Sequence, residues 1–352
     1  MRSGRLCAKY SVKHCALLLG LLPVAASAAP LGSPWDRPVI EQSSATGVAC
    51  PNPPVLARDI ETLSFYTDSA HSVPDPARYA AYRAAVKPLN DAARRIAELA
   101  DAYRAKGDAA AARCVADWLA RFAEGEALTG KMSSNQAYYV QGWTLGAFAL
   151  DWLKVRRAPG ISAKALAVVP SWLARVAALN RTYYDGRDQK VDGRNNHRYW
   201  AGAASMASGI AADRRDAFDW GVQSMRVGLA QVDREGALPL EMARRAKALH
   251  YHLFALAPLV TMAELAAANH IDAYRENDGA LHRLAQRALL GVDDPAFFAE
   301  RSGIAQEDVK RTADSLAWAI PFERRYPEQR VAALLASLQS TSVLYLGGTP
   351  PP

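Results

Sequence analysis

Apolar residues recur at three- and four-residue spacing along most of this 352-residue chain, and no run alternates apolar with polar residues over strand length. That pattern confines the chain to helix packed on helix. The spacing predicts helices over 77–104, 108–124, 133–156, 163–182, 197–212, 216–232 and 240–269, then over 279–290, 306–325 and 328–340. The links between them are short and carry Gly, Asn or Asp, as at 106–108, 233–236 and 277–279. Helices joined this way pack as antiparallel pairs in an all-α domain. Pro258 falls inside the 240–269 pattern and is expected to kink or restart that helix just after Tyr251.

The first 28 residues stand apart from that pattern. Arg2, Arg5, Lys9 and Lys13 precede an apolar run from Cys15 to Ala26, and Ala26-Ser27-Ala28 offers a small-residue cleavage site. Together they read as an export signal, leaving 29–352 as one domain in the periplasm or outside the cell. The signal is too short to span a bilayer, and no other run is expected to reach membrane-helix length. Without its four basic residues, Lys plus Arg falls from 42 to 38 against 35 acids, a net charge of about +3. The remaining charges are interspersed, which argues against a nucleic-acid partner. A mild positive balance suits an anionic polysaccharide if the cations gather in one cleft. Cys7 and Cys15 leave with the signal, so Cys50 and Cys114 remain as an even pair expected to form a disulfide. Residues 29–63, rich in Pro, Gly and Ser, predict irregular structure.

One stretch is written unlike a core helix. Asn195-Asn196-His197-Arg198-Tyr199-Trp200 sets two amides, an imidazole, a guanidinium, a phenol and an indole side by side, just before an apolar small-residue helix. Side-chain amides favour a helix start, which places the pair at a first turn facing a cleft. Further on, Arg244 and Tyr251 are seven residues apart, with Lys247 between them. On a continuous helix they share one face about 10 Å apart. Taken singly, such residues are more often a helix cap, a surface ion pair or a core-edge phenol.

The Asn196-His197 pair within that run, the Arg244 to Tyr251 spacing and residues 249–265 closely resemble the alginate lyases of polysaccharide lyase family 5. A weaker likeness extends from about Cys50 to Trp318. The resemblance implies an incomplete (α/α) toroid, a Cys50–Cys114 bridge, and β-elimination on a 4-linked uronate polymer. It places Asn196, His197 and Arg244 around the uronate carboxylate and makes Tyr251 the acid/base. No metal or cofactor is called for, and the chain is expected to act as a monomer.

The chemistry fits those residue types. The C5 proton of a uronate is weakly acidic, so donors must neutralise the carboxylate as charge develops, while a base takes the proton and an acid protonates the departing O4. A free phenol has a pKa of about 10. It becomes a base when nearby cations stabilise its anion, and Arg244, Lys247 or His197 are the candidates. In mannuronate the C5 hydrogen and O4 share one ring face, so a single tyrosine can serve both steps. Glucuronate shares that geometry and guluronate does not, which leaves a glucuronan- or hyaluronan-type lyase as the alternative substrate reading. For subsites, Gln136, Tyr139 and Trp143 offer aromatic faces and an amide at a helix start. Loop 64–76 is similar to the family's mobile lid, with Tyr66 and His71 closing over substrate, though many relatives carry Lys or Arg there. Lys247, His250 and Arg324 complete the substrate-binding candidates, and His250 also stands to tune the pH response. His270 and His282 read as surface residues. A toroidal glycoside hydrolase would need two carboxylates across the bond, with Asp233, Glu235 and Glu241 the acids nearby. A non-catalytic sugar-binding protein is the third possibility.

Overall fold

Each early helix starts at a side chain that replaces a missing backbone acceptor. In the computed structural model, which describes residues 29–40, 50–69 and 71–352, Asp75 caps α1 (Pro76–Lys106) and Asp108 caps α2 (Ala109–Glu124). Ser134 caps α3 (Asn135–Val155), Ser162 caps α4 (Ala163–Tyr184) and Asn195 caps α5 (Asn196–Ala212). Each such cap stabilises its helix by about 1 kcal/mol and fixes where the chain turns. α6 (Arg215–Leu229) follows a left-handed Asp213. The predicted helices are therefore present in this half, within a few residues at each end. The expected export signal lies outside the described residues, as do residues 41–49 of the irregular segment.

The next predicted helix is broken. Instead of one helix over 240–269 there is a single turn α7 (Pro239–Met242), a 3₁₀ turn (Arg245–Lys247), and then α8 (Ala248–Ala267). The break lies before Tyr251, because Arg245 adopts a left-handed φ of 56° that no helix can continue through. Pro258 is carried inside α8. In α9 (Glu276–Asp293) the first residues Asn277, Asp278 and Gly279 are left-handed, so regular helix starts at Ala280. The predicted helix over 306–325 is two short ones, α11 (Ala313–Leu316) and α12 (Ala319–Arg325). A short α10 (Ala296–Ser302) was not foreseen, and α13 (Gln329–Ala336) ends the helical part.

Within Leu31–Pro352 the long helices form two concentric arcs. The inner arc runs α1, α3, α5, α8, each packed on the next; the outer arc runs α2, α4, α6, α9 in the same order. Each inner helix also packs on the outer helix that follows it. The contacts joining α8 back to α1 are not comparable, so the all-α (α/α) toroid is incomplete, and α11 and α12 lie against α8. Among the described residues there is no strand, only three isolated bridges.

Position in the arcs explains composition. α3, α5 and α8 are buried along most of their length, whereas α2 and α6 bury one stripe. α5 and α6 approach closely because Gly202 and Gly221 face each other's helix: a Cβ on Gly202 would stand 2.6 Å from the Ser224 Cβ, and one on Gly221 2.6 Å from the Met206 Cβ. The expectation that no run reaches membrane length needs correcting. Arg245–Ala267 is long and apolar enough, and 89% of an 18-residue window within it is buried inside the fold. Cys50 is disulfide-bonded to Cys114, which fastens the irregular N-terminal segment to α2.

Candidate active site

The first turn of α5 and the broken segment before α8 meet through Glu241. A helix start leaves backbone N–H groups without partners. Here the Asn195 side chain accepts from the His197 N–H at 3.1 Å, and the Glu241 carboxylate accepts from the Asn196 N–H at 2.8 Å. The Asn196 Nδ2 also donates to both Glu241 oxygens at 3.0 Å. Both residues are 0% exposed. Desolvation raises the pKa of Glu241, against opposing pulls from Asn196 and Arg244.

His197, next along, is half-buried with its imidazole stacked on the Tyr139 ring at 3.7 Å and 13°. The Tyr139 hydroxyl donates to Asp192 at 2.9 Å, and Asp192 also accepts from Tyr183 and Arg187. Trp143 packs at 6.1 Å from His197 on one side and at 5.2 Å from Tyr345 on another. Burial, aided by the Arg244 charge, lowers the His197 pKa to about 3. The imidazole is therefore neutral at ordinary pH and does not supply the cation expected of it.

Arg244 and Tyr251 are brought together by the break and not by helical periodicity. The chain reverses at Arg245, and the guanidinium of Arg244 lies 3.3 Å from the centroid of the Tyr251 ring. Gln306 holds the break open: its Nε2 donates to the Arg245 carbonyl at 3.0 Å and its Oε1 accepts from the Leu249 N–H at 3.0 Å. Loop 64–76 folds down onto this pair. Asp68 accepts from the Ser72 and Val73 N–H groups and shapes the loop tip, where His71 adopts a left-handed φ of 51°. The His71 carbonyl accepts from Arg244 at 2.7 Å, and the hydroxyls of Tyr66 and Tyr251 are 2.8 Å apart.

Tyr251 is 7% exposed, and burial pushes its pKa well above the ordinary phenol value, with Arg244 the main opposing influence. It rests as a neutral phenol, not as the phenolate expected from neighbouring cations. Lys247 sits 5.7 Å from the Tyr66 ring and pairs with Glu307 at 3.7 Å, so its charge is shared. His250 meets the edge of Tyr251 at 5.1 Å and is solvent-exposed, yet desolvation and then Lys247 and Arg244 lower its pKa to about 4.

Of the candidates, Asn196, His197, Arg244, Tyr251, Tyr66, His71, Tyr139, Trp143, Lys247 and His250 thus belong to one connected group. Tyr139 supports His197 with one face and is not a free platform. Gln136 is buried and interacts with Tyr82. Arg324 donates to the Pro351 carbonyl at 3.4 Å, and its neighbour Arg325 is taken up by Glu264. His282 is half-buried against Tyr326 at 4.6 Å, not a surface residue. The sequence reading missed Glu241 as a partner of Asn196, Asp192 behind Tyr139, and Gln306. All three act across 45 or more residues of chain, and nothing local announces such pairings.

Comparison with known proteins bears on the same region. Residues 60–298 match the family model described as alginate lyase. A polysaccharide lyase of Stenotrophomonas maltophilia is 39% identical over 294 residues, covering 83% of this chain and 86% of its own. The chain belongs to the alginate lyase family. An alginate lyase of Azotobacter vinelandii is 35% identical over 265 residues, covering 73% of this lyase and 70% of its own length. Among solved structures, alginate lyase A1-III from Sphingomonas species A1 shares the fold with a TM-score of 0.71 at 23% identity, covering 86% and 84% of the two chains. The hydrolase alternative loses its carboxylates in this lyase: Glu241 is buried against Asn196, and Asp233 and Glu235 pair with Arg301 at 2.7 and 3.2 Å.

Proposed function

We propose that this polysaccharide lyase cleaves mannuronate-rich alginate by β-elimination, with Tyr251 as its acid/base. The observation that carries the reading is the Arg244 guanidinium 3.3 Å from the Tyr251 ring, which favours the phenolate as it forms in a desolvated site. Asn196, His197 and Arg244 take the uronate carboxylate. When loop 64–76 lifts and the Tyr66 contact opens, the Tyr251 hydroxyl gives its proton to solvent. The phenolate then removes the C5 proton, the C4–O4 bond breaks as the C4–C5 double bond forms, and that proton passes to O4. Loop 64–76 lifts to admit the polymer and returns Tyr66 and His71 over it. Relatives of the chain are named alginate lyases, and a structure of A1-III, 22% identical, holds a tetrasaccharide, which supports a polymeric uronate substrate. The Cys50–Cys114 bridge supports an oxidising compartment, and we propose export to the periplasm as a monomer.

The experiment is an ultraviolet assay of the conjugated double bond on mannuronan, guluronan, glucuronan and hyaluronan. Mannuronan is expected to be cleaved fastest, and Tyr251→Phe to lose about 10³-fold or more in kcat while still binding polymer. Faster cleavage of glucuronan overturns the substrate; a Tyr251→Phe variant at near-normal rate overturns the acid/base. One observation favours a second role. The His197 Nδ1 is buried without a partner, and a uronate carboxylate bound beside this neutral imidazole raises its depressed pKa towards that of a useful base on the other face of the ring. Substantial guluronan cleavage that His197→Ala abolishes selectively supports it.

A further inference from the structure

The Asn196 amide poses a problem in the arrangement just described. Its Nδ2 is spent on Glu241, and its Oδ1, on the opposite side of the amide, is buried without a partner. A buried acceptor left without a donor destabilises the fold. Worse for the reaction, an oxygen presented to an incoming uronate carboxylate repels it, whereas the chemistry asks for a donor. The amide fits the same space in two ways, related by a half-turn that exchanges nitrogen and oxygen.

We propose that Glu241 is a positioning residue that works as a neutral carboxylic acid: its O–H donates to the Asn196 Oδ1, turning Nδ2 towards the substrate carboxylate. The Asn196 backbone N–H still donates to the other carboxyl oxygen, as it does at 2.8 Å. One proton on Glu241 then satisfies the buried amide oxygen and supplies the missing donor together. The surroundings suit the neutral form. Glu241 is 0% exposed, and among the described residues it has no ion pair with Lys, Arg or His. Burial already raises its pKa, and turning the amide removes the Asn196 Nδ2 contact that lowers it. A uronate carboxylate arriving nearby raises it further. The proposal rests on the alginate reading only for the identity of that carboxylate.

Glu241→Gln separates neutral acid from carboxylate. Its N–H₂ donates to Oδ1 and its carbonyl accepts the backbone N–H, so kcat/KM on mannuronan is expected within about threefold of wild type. Glu241→Met, which leaves the amide unheld, is expected to lose about 100-fold, mainly in kcat. A change of tenfold or more in Glu241→Gln overturns the proposal. Infrared difference spectra of the substrate-free proteins at neutral pH give a readout independent of any sugar. A protonated-carboxyl C=O band present in wild type and absent in Glu241→Gln is expected, and no such band overturns the proposal. Should Glu241→Gln fail to fold, the same band is followed in Asn196→Ala: it must shift when its acceptor is removed, and an unmoved band overturns the assignment.

Discussion

Arg244→Lys keeps a cation at the site and removes its plane. In the structure the guanidinium is 8% exposed, lies 3.3 Å from the Tyr251 centroid and donates to the His71 carbonyl at 2.7 Å. A desolvated cation–π contact is worth about 2 kcal/mol, and a hydrogen bond from a charged group about 1.5–3 kcal/mol. Lysine keeps part of each, since its ammonium still carries charge, but it cannot stack and donate from one rigid fork. Only the part that strengthens in the transition state lowers the barrier. In the proposed reaction the stack on Tyr251 is that part, because there the neutral phenol passes to phenolate, while the bond to His71 serves the closed loop. The net loss is about 1–2 kcal/mol, or roughly 5- to 30-fold in kcat/KM. It should appear mostly in kcat if Arg244 stabilises phenolate, and mostly in KM if it only holds the carboxylate. Initial rates of ultraviolet absorbance on mannuronan across a range of polymer concentration resolve the two. A lysine variant within about threefold of wild type in both parameters refutes the role given to the stacked guanidinium.

Other outcomes follow from the same geometry. Tyr139→Leu removes the 3.7 Å stack under His197 and should lower kcat/KM about tenfold; Tyr139→Phe should keep most of it, and equal losses in the two would count against the stack. His252 is fully buried, accepts from the Leu238 N–H at 2.9 Å and has its pKa lowered to about 4 mainly by desolvation. Below the unfolded value of about 6.5 the unfolded chain binds the proton first, so stability is lost as pH falls from there to about 4. His252→Gln should flatten that loss by about 1.4 kcal/mol per pH unit, read from urea midpoints, and an unchanged slope would count against a neutral buried imidazole. Removing the Cys50–Cys114 bridge as a double Ala variant frees a sequence separation of 64 residues, which costs about 4 kcal/mol in the chain-entropy account. Denaturation with an unchanged midpoint would show the bridge to be dispensable.

How much was legible beforehand depends on whether the cause was local. The caps at Asp108 and Asn195 and the apolar spacing of α2 to α6 are readable because helix start and burial stripe are written within a few residues. The segment after Pro239 was misread because its apolar spacing runs on through a break set by one left-handed residue and held by Gln306, 61 positions away. Arg324 sits in a charge run in the sequence, and in the fold it lies in the last turn of α12 and donates to the Pro351 carbonyl, a partner 27 residues further on that nothing local announces. Protonation states were misjudged for a similar reason. Cations near Tyr251 and His197 are visible in the sequence, but desolvation is a property of packing: it outweighs Arg244 at Tyr251 and acts together with Arg244 at His197.

Residue order alone determined that the described residues form an all-α fold and that an amide–imidazole pair opens a helix, and it marked Arg244 and Tyr251 as candidates. Only the tertiary structure decided how those groups face one another: a reversal at Arg245 that lays the guanidinium on the phenol, a loop that bonds both, and a buried Glu241 gripping the amide. The physical reason is range. Helix starts and apolar stripes are set within a turn or two of chain, whereas hydrogen bonds and desolvation at a cleft are set by segments from 45 to 185 residues apart.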